Sequence, residues 1–222
     1  MAKHLDLEEQ EQLDQLKHFW AQYGNLITWV LIAVAGATAA WNGWQYWQRS
    51  QATKAAALYD EVERAALAPD TSRLEGALSE MKDRFASTAQ ASQAALLAAR
   101  TLFEQGKAES ARAALVWVAD KGADDAFRAV ARLRLAALDL DAGRHDDALK
   151  ALDGAVPAEF QGLFEDRRGD ILLAQGKTDD ARQRFEAAWK ALGEHNPYRQ
   201  LVEVKLASLG VAPASLNPPK EF

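Results

Sequence analysis

The sequence predicts an all-α protein, a single transmembrane helix followed by a solenoid of repeated helix pairs. Three observations predict it. Alanine dominates while Gly and Pro are scarce, at 13 and 6 of 222 residues, and Ala carries the lowest conformational cost in a helix. The stretch from Phe19 to Gln48 holds no Asp, Glu, Lys, Arg or His. Further along, a pattern centred on glycine recurs three times.

The charge-free stretch comes first. Its apolar heart runs from Leu26 to Trp44, and about 20 such residues cross the roughly 30 Å of hydrocarbon in a bilayer. Leu26, Ile27, Val30, Leu31, Ile32 and Val34 each favour insertion by a few tenths of a kcal/mol, whereas one central charge would cost about 2.5–3.5 kcal/mol. Phe19, Trp20 and Tyr23 flank one end, and Trp41, Trp44, Tyr46 and Trp47 the other. Indole and phenol rings favour the headgroup level, so these seven form an interfacial belt for a lipid bilayer. Ala37-Thr38-Ala39 resembles a signal-peptide cleavage site. The acidic segment before it and the apolar-aromatic sequence after it favour a retained anchor. Ala33, Gly36, Ala40 and Gly43 line one face, at a rhythm that admits a second helix closely in lipid. Lys3 and Lys17 on one side, and Arg49, Lys54 and Arg64 on the other, leave the orientation unset by charge.

Ahead of the span, residues 1–24 read as an amphipathic tail. Asp6 and Glu9 form a capping pair, and Leu13, Leu16, Trp20 and Tyr23 a stripe. Glu8, Glu9, Glu11 and Asp14 make its acidic face, and Gly24-Asn25 is expected to break or bend it. The transmembrane helix occupies 25–48, and a stalk helix with its linker 49–72, ended by Pro69-Asp70-Thr71-Ser72.

The repeat occupies 73–209. Gly106, Gly143 and Gly176 are 37 and 33 residues apart, and each lies between two apolar helical patterns. Glycine takes the left-handed conformation that ends a helix, and an acidic residue then opens the next. Five residues after each glycine stands Ala111, Ala148 or Ala181. Seven before it stands Ala99, Ala136 or Gly169, and four beyond the alanine stands Leu115, Leu152 or Phe185. This pattern resembles the tetratricopeptide repeat, a helix–turn–helix unit of about 34 residues. Helix pairs are expected at 89–105 with 108–121, 124–142 with 145–154, and 160–175 with 178–192. A divergent pair starts at 73–86, and 198–209 is a closing helix. Residues 210–222, with three of the six prolines, are expected to be disordered. Phe103, Leu140 and Leu173 hold equivalent positions that could face the concave groove of such a stack or pack between neighbouring helices.

Bulk chemistry narrows the function. With 32 acidic against 26 basic residues the net charge is -6, the wrong sign for a nucleic-acid binder. The absence of cysteine removes disulfides, thiolate catalysis, zinc–thiolate sites and an N-terminal lipid anchor. His4, His18, His145 and His195 show no ligand spacing, and no phosphate-binding or nucleophile motif occurs. No cofactor, metal or catalytic residue is expected.

The order of tail, span and repeats resembles the YfgM family, ancillary subunits of the bacterial SecYEG translocon. The resemblance reaches from Glu11 to Leu209. It rests on Leu16-Lys17-His18-Phe19-Trp20, on Gly43-Trp44-Gln45-Tyr46-Trp47, and on Asp166-Arg167-Arg168-Gly169-Asp170-Ile171-Leu172-Leu173 leading to Gly176 and Ala181. The Pro-containing extension after Leu209 departs from that pattern. The resemblance implies a single-pass protein of the bacterial inner membrane, its N-terminus cytoplasmic and its repeats periplasmic. It implies partnership with the SecYEG translocon and with PpiD, a membrane-anchored chaperone of the prolyl-isomerase class. It also implies a part in handing unfolded exported polypeptides to periplasmic chaperones. The alternative role is a repeat scaffold for cell-envelope assembly or division.

Overall fold

The computed structural model describes residues 7–68 and 70–211. Every regular element among them is helical: α1 (Leu7–Ala66), α2 (Thr71–Phe85), α3 (Ala89–Glu104), α4 (Ala108–Lys121), α5 (Asp125–Asp141), α6 (His145–Ala151), a short 3₁₀ turn (Ala158–Phe160), α7 (Gln161–Ala174), α8 (Thr178–Ala191) and α9 (Tyr198–Ser208). The chain divides into two units, Met1–Gln51 and Ala52–Phe222.

In the first unit Gly24 and Asn25, expected to break or bend the chain, lie inside α1 without interrupting it. A mid-helix glycine costs only about 1 kcal/mol relative to alanine. Here the Trp20 indole lies against Gly24, and the Thr28 hydroxyl donates to the Gly24 carbonyl at 2.7 Å. The proposed capping residue Asp6 lies outside the described residues, as does the tail beyond Val211.

The second unit stacks its helices in chain order, α2 on α3, α3 on α4, α4 on α5, and so on to α8 on α9. Ala55, Val62 and Ala65, from the segment read as a stalk, are buried in one core with Leu74, Met81 and Leu102. Asp70 caps α2, accepting from the Ser72 amide at 3.0 Å and the Ser72 hydroxyl at 2.7 Å.

The glycines do what their spacing predicted. Gly106, Gly143 and Gly176 have φ of 77°, 72° and 75°. Each closes its helix the same way. The glycine N–H donates to the carbonyl three back, and the next N–H donates to the carbonyl five back, as in Gly106 to Phe103 at 2.9 Å and Lys107 to Leu102 at 2.8 Å. Ala111, Ala148 and Ala181 are fully buried, which lets the second helix of each pair lie close to the first. Gly210 repeats the cap 34 residues after Gly176. Its φ is 83°, and Gly210 and Val211 donate to Ala207 and Leu206, each at 3.0 Å. The closing helix α9 therefore ends in the repeat's own turn.

One expected helix is shorter than its pattern. The segment 145–154 is helical only to Ala151. Arg132 of α5 donates to the carbonyls of Ala151 at 3.0 Å, Ala155 at 2.8 Å, and Asp153. Arg168 of α7 donates to that of Leu152 at 2.6 Å. Two guanidiniums thus supply donors that further helical turns would have supplied, and Gly154, at φ 97°, turns the chain away.

Candidate functional site: an exposed apolar helix and a repeat hollow

Two surfaces carry the side chains that sequence reasoning singled out. The first is α1, which is long and apolar enough to cross a membrane. Leu26, Trp29, Val30, Leu31, Ile32 and Val34 are all more than half exposed, a continuous apolar surface far larger than an isolated water-soluble helix displays. The Thr28 and Thr38 hydroxyls are spent on the helix's own carbonyls. Thr28 donates to Gly24, and Thr38 donates to the carbonyls of Val34 and Ala35, both at 2.9 Å. Neither hydroxyl needs water. Tyr23 and Trp41 bracket this stretch, about 27 Å apart at 1.5 Å per residue. Phe19, Trp20, Tyr23, Trp41, Trp44, Tyr46 and Trp47 are all exposed. The Phe19 and Tyr23 ring centres lie 5.1 Å apart and those of Trp44 and Trp47 5.3 Å apart, each pair tilted. Ala33, Gly36, Ala40 and Gly43 are exposed, and a methyl built on Gly36 or Gly43 would meet nothing within 4 Å. That face is open.

The second surface lies between α3 and α5. A hollow of 360 Å³ is walled by Ala99, Phe103, Leu115, Ala137 and Leu138, with Arg100, Arg134 and Asp141 completing it. Phe103 is half-exposed there. Its repeat equivalents go elsewhere. Leu140 packs against the core shared by α5, α6 and α7, and Leu173 is exposed on α7 outside the hollow. The three positions are equivalent in sequence but do not form one wall.

Against known proteins, residues 17–211 match the model of the tetratricopeptide repeat-like domain family. A Neisseria gonorrhoeae protein named ancillary SecYEG translocon subunit is 33% identical over 210 residues, covering 94% of this chain and 100% of the relative. The chain belongs to the ancillary SecYEG translocon subunit family. Relatives of the same name from Haemophilus influenzae and Escherichia coli are 27% and 28% identical, covering 91% and 82% of this chain and 98% and 88% of their own lengths. The family match begins ahead of the apolar stretch and runs through α9, so span and repeats are shared together.

In this member of the family the sequence reading missed a set of buried charges. Asp139 is fully buried and accepts from Arg112 Nε at 2.8 Å and Arg144 Nε at 2.9 Å. It ties the second helix of one pair, the first of the next and the loop after it. A signal was present: Asp139 stands four before Gly143, where the other pairs have Leu102 and Leu172. Asp166 is buried on α7 and takes the Lys205 ammonium at 2.8 Å and the Tyr198 hydroxyl at 2.7 Å, both from α9. Lys205 also donates to Asp170 at 2.7 Å. Burial, ahead of every other influence, raises the Asp170 carboxyl above its ordinary range. Burial, reinforced by the hydrogen bond to Asp166, likewise pushes the Tyr198 phenol upward. Glu165 joins Arg168 at 2.5 Å to Arg184 at 3.1 Å. Each carboxylate is held by cations of its own or neighbouring helices, an arrangement for joining helices.

Proposed function

We propose that the chain is a non-catalytic adaptor at the SecYEG translocon, anchored by α1 in the bacterial inner membrane with its N-terminus cytoplasmic and its repeats periplasmic. The observation that carries this reading is the Neisseria gonorrhoeae relative, matched over 100% of its length and itself named ancillary SecYEG translocon subunit. The open small-residue face of α1 supports a helix partner in the membrane, and the α3–α5 hollow supports a polypeptide partner outside it. In this reading the repeats pass emerging unfolded chains to a PpiD-like chaperone. Asp139, Glu165 and Asp166 are each paired with cations within the fold, which supports a helix-joining role for these buried carboxylates.

The test is affinity purification of the full chain from mild detergent after crosslinking. Recovery of SecY together with a PpiD-like protein is expected, and recovery of neither overturns the proposal. Gly36→Leu is expected to lower SecY recovery, because the bulk fills the face a partner helix would approach. Orientation is read separately. The chain has no cysteine, so a Ser72→Cys variant labels with an impermeant maleimide in intact spheroplasts only if the repeats are periplasmic.

A further inference from the structure

Helices α2 and α4 both pack on α3, and residues of all three line a gap of 210 Å³. Its floor is Leu78, Leu102, Ala113 and Ala114. One end is closed by Lys107 and Glu75, 3.6 Å apart. At the other the Lys82 ammonium stands 5.4 Å from the centre of the Trp117 ring. Ser79 and Ser110 add a hydroxyl from each helix.

The gap is lined by donors that have no hydrogen-bond or ion-pair partner among the described residues. Most half-buried cations of the repeats meet carboxylates or carbonyls, as Arg112, Arg132, Arg144 and Arg168 do, while Arg199 lies over the Trp189 ring. Among the described residues, Lys82 forms no ion pair, and neither Ser79 nor Ser110 makes a hydrogen bond. The charge on Lys82 is half-buried, and burial lowers its pKa from the ordinary lysine value, with Asp83 opposing that only in second place. A half-buried ammonium with no carboxylate beside it gains from a bound anion.

We propose that this gap binds a carboxylate carried on a short apolar group, its oxygens held by Lys82, Ser79 and Ser110 and its apolar part by the alanine–leucine floor. Glu75 at the far end, with one lysine partner, disfavours a second negative charge such as a phosphate dianion would bring. The volume suits a group the size of one amino acid. The same chemistry is offered by the last residue of a polypeptide and by a free small acid. The proposal is independent of the translocon reading and can fail without it.

The test is calorimetry on the full chain in non-ionic detergent, titrated with N-acetyl-leucine, with its amide, and with a peptide ending in a free leucine carboxylate. The acid is expected to bind at least about 10-fold tighter than the amide. Lys82→Met is expected to erase that difference, and Ser110→Ala to weaken the acid about 3-fold. Near-UV circular dichroism checks that each variant is folded. If Lys82→Met unfolds, the acid–amide comparison and Ser110→Ala decide alone. A peptide tighter than the free acid identifies a chain terminus as the source, and equal affinities identify a small acid. Equal binding of acid and amide, an unaffected folded Lys82→Met, or no saturation below about 10 mM overturns the proposal.

Discussion

Gly169→Ala examines a close approach of α7 and α8 that a glycine permits. A methyl at Gly169 would lie 2.5 Å from Phe185 Cε1 and 2.6 Å from Cδ1, where non-bonded carbons rest about 3.5–4.0 Å apart. Phe185 is fully buried, and its ring is backed by the Lys205 ammonium at 5.2 Å from the centroid. The ring must therefore shift by about 1 Å within a filled core, and overpacking of that kind costs about 1–3 kcal/mol. Alanine returns about 1 kcal/mol of helix propensity. The net expectation is a loss of about 1 kcal/mol, or 2–4 °C in Tm for a unit of this size. The other repeats supply the rescue, since Ala99 and Ala136 sit in the same register with Leu115 and Leu152. Gly169→Ala combined with Phe185→Leu copies them. The pair is expected to be at least about 1 kcal/mol more stable than the sum of its single changes. Thermal melts of the four proteins, followed by near-UV circular dichroism, give the cycle. A Gly169→Ala variant that gains its full propensity, or single effects that simply add, would refute the register argument.

Three further substitutions probe the buried charges and the span. Asp139→Asn leaves Arg112 and Arg144 facing a neutral group and is expected to cost about 2–3 kcal/mol in a thermal melt, less than a wholly buried pair because both guanidiniums are about a third exposed. Asp170 has a folded pKa raised by burial. Its contribution to stability is whole below the unfolded carboxyl pKa and lost as pH rises through the folded one. The stability of Asp170→Asn relative to wild type should therefore improve from about pH 3 to about pH 7 in denaturant titrations, and a decline would contradict the assignment. Val34→Asp places a charge at mid-span at a cost of about 2.5–3.5 kcal/mol. The variant is expected to appear in the alkaline extract of membranes, where the wild-type chain does not.

The repeat was legible because its turns are made of residue types with few alternatives. A helix that must reverse within two or three residues needs a positive φ, and glycine supplies it, so Gly106, Gly143 and Gly176 showed the architecture before any coordinates did. Gly210 carries the same turn, but the residues after it, with Pro213, Pro218 and Pro219, do not continue the pattern. The end of α6 was illegible for a different reason. Its early stop depends on Arg132 and Arg168, which come from other helices, and long-range donors leave no trace in local periodicity. Gly24-Asn25 misled in the opposite sense, because turn-forming residues lose to the continuous hydrogen bonding of an apolar helix. The groove positions were only partly readable. Periodicity places Phe103, Leu140 and Leu173 in register, but the packing of each neighbouring pair decides which of them stays exposed.

The three hydrophobic clusters of the repeat unit are distinct. One spans the end of α1 through α5, one joins α5, α6 and α7, and one lies beneath α8 and α9. Unfolding that begins at α9 can therefore peel α9 and α8 without emptying the cluster around α2 and α3. Such a repeat unit yields in stages, like a zip fastener, and the helices at its start keep their shape while the last ones are remade.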